Sequence, residues 1–203
     1  KSYTELHETN AKTLAELEKR AAQVTQQLEQ TATTFTTFTE FAPSSWRDVQ
    51  GNGTEAQNAL NRAQDLWEEA NKDNDLAGSQ EFGRAKTSLE NASTEVEQAK
   101  TLLKAVNTRL RDLQTARATA KDQLARVEKD LAEFETTLRR PEVDKNVGAA
   151  PEQKLSEAKS LISKTRTELS QNLPDWLVIM ASVQSADKLA GEALALMRSE
   201  QET

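Results

Sequence analysis

Apolar residues recur along most of this chain in alternating steps of three and four. The first run passes through Tyr3, His7, Asn10, Leu14, Leu17, Ala21, Val24 and Leu28 to Phe35 and Phe38. A longer run starts at Phe82 and continues through Leu89, Val96, Leu103, Leu110, Leu124 and Leu131 to Leu138, with Arg117 as its charged member. A seam of period 3.5 kept over such a distance marks helices packed along one another as in coiled coils; a lone straight helix drifts toward 3.6. The spacing predicts helices over about 3–41, 54–72, 76–140 and 152–199.

Punctuation between the runs is sparse. Pro43 forbids continued helix, Gly51 and Gly53 supply backbone freedom, and Thr54 is a candidate N-cap. The stretch TATTFTTFTEF before this corner is rich in β-branched threonine, which favours strands. Phe35 and Phe38 nonetheless fall in phase with Val24 and Leu28, so it reads as the end of the first helix. Periodicity leaves the abundance of threonine unexplained. Residues 71–78, NKDNDLAG, predict a tight hairpin with Asp75 capping the third helix. The alternative fuses helices two and three, against the cost of two glycines and an Asn/Asp run inside a helix. Beyond the expected loop from Pro141 to Pro151, the seam Leu155, Ala158, Ile162, Thr165, Leu169, Asn172, Trp176, Ile179 keeps phase through Pro174. That predicts a kinked helix, or a break of one residue, in place of a reversal.

These elements assemble into an all-α fold: one elongated domain over 1–203, an antiparallel helical bundle or coiled coil. Helices one to three form a three-helix layer, beyond which the third helix pairs with the last alone. The arrangement resembles spectrin-like helical repeats, and long coiled-coil segments of bacterial proteins, at the level of class. The pattern Leu60, Ala63, Ala70, Asp75, Phe82, Ala85, Leu89, Ala92 is similar to a tetratricopeptide-type hairpin over one hairpin only, without the full repeat signature, and no function is carried from it. In this assembly helix two, ~28 Å long, covers only the end of helix one. Tyr3, His7, Asn10, Leu14 and Leu17 then form an exposed stripe that asks for a partner helix, from a second copy in a homodimer or from a longer parent protein.

Composition narrows the chemistry. Asp and Glu number 33 against 26 Lys and Arg, a net charge of −7. That balance argues against nucleic acid, whose binding rests on Lys and Arg at phosphates. There is no cysteine and one histidine, too little for a zinc site of the usual type. Asp73 to Gly78 starts like a calcium loop, but Arg84 stands where the twelfth position needs a carboxylate. Gly51-Asn52-Gly53 lacks the Lys-Ser/Thr of a phosphate loop. The longest apolar run, Trp176–Ala181, is far short of the ~20 residues of a membrane span, so no direct membrane insertion is expected. The chain opens on Lys, which points to excision from something larger and leaves an extracytoplasmic or membrane-associated setting open. Asn10, Thr31, Arg117, Thr165 and Asn172 interrupt the seams as polar residues that set register. No catalytic residue, cofactor or metal ligand emerges. The expected function is a structural or protein-interaction helical module and not an enzyme; the alternative is a helix-gripping module using the Trp46 corner or the start of helix one.

Overall fold

A computed structural model describes residues 2–140, 143 and 148–201; Pro141, Glu142 and residues 144–147 of the expected loop lie outside the described residues. The fold is all-α, with no strand among the described residues. Helix α1 spans Tyr3–Phe38, followed by two 3-10 turns at Pro43–Ser45 and Arg47–Val49. Helices α2 (Asn52–Asp73), α3 (Phe82–Leu138), α4 (Ala149–Leu169) and α5 (Trp176–Gln201) follow. Residues 74–81 separate α2 from α3, so the two are not fused.

A single domain was the expectation from the sequence; the chain instead divides into two compact units. Unit 1 holds residues 1–39 and 46–110, and unit 2 holds residues 40–45 and 111–203. Helix α3 serves both, its first part in unit 1 and the remainder in unit 2.

In unit 1, cross-helix bonds set the directions. The Tyr3 hydroxyl donates to the Gln80 carbonyl, and further on Arg20 donates to Ser93 at 3.1 Å and pairs with Glu97, so α1 and α3 ascend together. Asn10 near the start of α1 meets Asn74 at the end of α2, and Gly53 at the start of α2 lies by Phe35 and Leu28, so α2 runs the other way. The shared core joins Leu17, Val24, Leu60, Leu89, Val96 and Leu103 with alanines that let α2 approach closely, among them Ala56, Ala59 and Ala63.

This register corrects the exposed stripe. The start of α2 lies back along α1, with Gly53 beside Leu28 and Phe35. The 22 residues of α2 then reach down to the start of α1 in place of covering only its end. Leu17 is 1% exposed and Asn10 2%, while His7 and Leu14 are half-buried.

In unit 2, Glu128 pairs with Arg166 and Glu135 with Lys159, which sets α4 against the direction of α3. Lys154 meets Glu192 at 3.3 Å and the Gly148 amide donates to Glu200 at 2.7 Å, so α4 and α5 lie side by side and antiparallel. The kinked continuous helix expected through Pro174 is therefore overturned: residues 170–175 are a reversal. Asp175 restarts the chain as the cap of α5, its Oδ1 accepting from the Val178 amide at 3.2 Å. Its Oδ2 accepts from the Ser44 hydroxyl at 2.8 Å, and its own amide donates to Glu168 at 2.8 Å. Seam phase survives because both arms of the hairpin turn Ala158, Ile162, Ile179 and Val183 to one core. With the last segment folded on itself, the second half of α3 gains two partner helices, and a second unit closes.

Threonine hydroxyls repeatedly bond back into their own helices. Thr25, Thr36 and Thr37 donate to the carbonyls of Ala21, Ala32 and Thr33, and Thr9, Thr119, Thr136 and Thr167 do the same. This local bond satisfies the hydroxyl without a partner from elsewhere. At the opposite end of α1, Ser2 and Glu5 form a reciprocal capping box.

Candidate interaction surfaces

The sequence singled out the start of α1, and the structure brings most of that group together inside unit 1. Asn10 Nδ2 donates to Asn74 Oδ1 at 3.0 Å and to the Phe82 carbonyl at 2.9 Å. Asn74 Nδ2 in turn donates to the His7 carbonyl at 3.1 Å. Both amides are buried, so this small network ties α1 to the turn between α2 and α3. The rings of Tyr3 and His7 lie 4.4 and 5.0 Å from that of Phe82. His7 Nδ1 is buried with no hydrogen-bond partner. Tyr3 is 60% exposed, and Leu76 in the neighbouring turn 61%. Leu14 and Leu17 belong to the core side of α1. The five residues thus fasten unit 1 internally, with the outer edge of Tyr3 left to solvent.

The corner divides between the units. In unit 1, Trp46 stacks on the fully buried Phe38 at 5.3 Å with planes 6° apart, and Phe35 meets Phe38 edge-on at 5.6 Å. Asp48 binds Arg109 through two bonds, 2.6 and 2.9 Å. The Arg109 hydrogen bond holds the Asp48 carboxyl below its ordinary range; burial opposes this and the guanidinium charge adds to it. In unit 2, the Arg117 guanidinium sits 4.5 Å over the ring of Phe41, so the charge that interrupts the α3 seam covers an aromatic face. Thr31 and Thr165, buried in their seams, bond to the Leu28 and Leu161 carbonyls, while Asn172 is exposed in the reversal.

The seams of unit 2 differ in charge. Along α3–α4 and α4–α5 three acids are paired from the facing helix, in Glu128–Arg166, Glu135–Lys159 and Glu192–Lys154. The Lys159 hydrogen bond lowers the Glu135 pKa, with the charges of Lys159 and Arg139 adding to it against burial. The α3–α5 seam is open instead. A cavity of about 450 Å³ lies there, lined by Asp130, Glu133, Phe134, Thr137, Asp187, Ala190, Gly191 and Leu194. A second, of about 340 Å³, follows the same two helices past Ala116, Thr119, Leu177 and Met180, with Arg111 and Asp112 at its edge. Sequence reasoning missed this groove. Its available signal was Gly191, a glycine in a helix interior with no turn to account for it.

Among the described residues no cluster of His, Asp and Glu could hold a metal ion, and no helix is long and apolar enough to cross a membrane. The cavity walls are helix faces that carry apolar side chains and carboxylates, with Arg111 at the smaller one. No family model, curated protein or solved structure matches the chain.

Proposed function

We propose that this chain is a non-catalytic helical module of spectrin-like build, which works by holding helix surfaces for other proteins. The observation that supports the reading best is α3, an unbroken helix of 57 residues that supplies one helix to each of the two units. Sharing one helix between successive three-helix units is an economical way to build a scaffold of helix surfaces. The Trp46 corner does not favour the helix-gripping alternative, because Trp46 spends its face on Phe38.

The test is site-specific photocrosslinking in the cell from which the chain comes. A photoreactive residue is placed at Gln184 on α5, at Gln26 on the outer face of α1, and at further exposed positions in turn. Discrete protein adducts from defined helix faces are expected, together with native mass spectra free of retained small molecules. A stoichiometric small molecule on the purified chain, or no protein adduct from any exposed face, would count against the proposal.

A further inference from the structure

We infer that the groove between α3 and α5 is the docking site for an amphipathic helix of another protein that carries Lys or Arg along its flanks. The inference rests on the interaction reading above and names the partner's chemistry.

The floor and the rim point the same way. At the floor, Gly191 sits in the interior of α5, where glycine costs about 1 kcal/mol relative to alanine. A Cβ built at Gly191 would meet nothing within 4 Å, so no contact inside the chain demands glycine there. With Ala190 beside it, and Phe134 and Leu194 as walls, the opening admits a helix backbone at close range. At the rim, Asp130, Glu133 and Asp187 are the charged residues lining the larger cavity, and all are acidic. None is in an ion pair among the described residues, whereas Glu128, Glu135 and Glu192 on the other two seams are answered by Arg166, Lys159 and Lys154 from the facing helix. Arg126 and Lys188, nearby in sequence, do not line the cavity. Arg111 stands beside Asp112 at the smaller cavity, whereas the three carboxylates of the larger one have no cation among its lining residues, and theirs would arrive with the occupant. From Leu177 to Leu194 the groove follows α5 for ~26 Å, the length of about 18 helical residues.

The probe is a synthetic peptide of about 18 residues with leucines on one face and lysines on both flanks, titrated into the whole chain by calorimetry. Its twin carries glutamate for every lysine. The lysine peptide is expected to bind, to weaken as salt rises, and to exceed the glutamate peptide by about tenfold or more. Gly191→Leu should fill the floor and abolish binding while the melting temperature holds or rises; Asp187→Asn with Glu133→Gln should shrink the preference for lysine. Equal binding of both peptides, no binding of either, or binding that survives Gly191→Leu overturns the inference. A dimer of the chain that Gly191→Leu dissociates would assign the groove to a second copy and overturn it too. Protein adducts from the photocrosslinking experiment, alongside an absent lysine preference, would reject this partner while leaving the interaction module standing.

Discussion

The paired amides Asn10 and Asn74 allow a quantitative test of how α1 is fastened. Asn10→Ala deletes two hydrogen bonds, to Asn74 Oδ1 and to the Phe82 carbonyl. At about 1 kcal/mol for each bond, with a similar charge for leaving the buried Asn74 acceptor unpaired, the loss comes to about 3 kcal/mol. Asn74→Ala deletes the shared bond and the one to the His7 carbonyl, and should cost about as much. The double variant removes three distinct bonds, fewer than the four counted in the two singles. The double should therefore cost about 1 kcal/mol or more less than the sum. Urea denaturation, read with amide hydrogen exchange along residues 3–17, measures all four corners of the cycle. Single variants within about 0.5 kcal/mol of the parent, or a strictly additive double, would show that water replaces the network and that the buried amides do not fasten α1.

Phe38→Ala empties a fully buried site between Phe35 and Trp46 and should cost about 3–5 kcal/mol, with loss of the near-ultraviolet dichroism of Trp46 as a local marker. Gln80 holds a φ of 56° without being glycine, so Gln80→Gly should stabilise by up to about 1 kcal/mol, less the bond from its side chain to the Leu76 carbonyl; a destabilised variant in thermal melts would refute this. Arg109→Gln should cost at most about 1 kcal/mol at pH 7, since Asp48 is largely exposed. Asp48 has its pKa lowered in the folded chain, so the contribution is full above the unfolded carboxylate value of 3.8 and fades as pH falls through the folded one. Stability curves of parent and variant should accordingly converge as pH falls below the ordinary carboxylate value of 3.8, and curves that converge at alkaline pH instead would reverse the sign.

The packing faces were legible in the sequence because burial is periodic. Phe82, Leu89, Val96, Leu103, Leu124 and Leu131, read in steps of three and four, are all buried along α3. Direction was not legible. A count of three and four says which side of a helix faces the core and nothing about which way its axis points, so a reversal of suitable length keeps the count. That is how Pro174 came to look like a kink. The local signal was present in Asp175, a capping residue directly after a proline that already forces the preceding residue out of helix. Register between α1 and α2 was hidden for a related reason: the non-helical residues between them set where α2 opens along α1, and such residues carry no periodic mark. The groove stayed hidden because periodicity shows which residues one seam buries, while an unfilled seam appears only once three helices stand together.

The self-bonded threonines change what the outer faces of these helices are made of. A threonine whose hydroxyl is spent on a carbonyl of the previous turn shows solvent mainly its methyl group, and behaves more like valine than like serine. Along Thr36 and Thr37 the surface of α1 is consequently greasier than its letters suggest. Mean hydropathy, −0.74 for the chain, scores each of these residues as polar and so understates that character. Valine in place of Thr36 or Thr37 would alter the wetting of that face less than serine would, the reverse of the ranking that residue polarity implies.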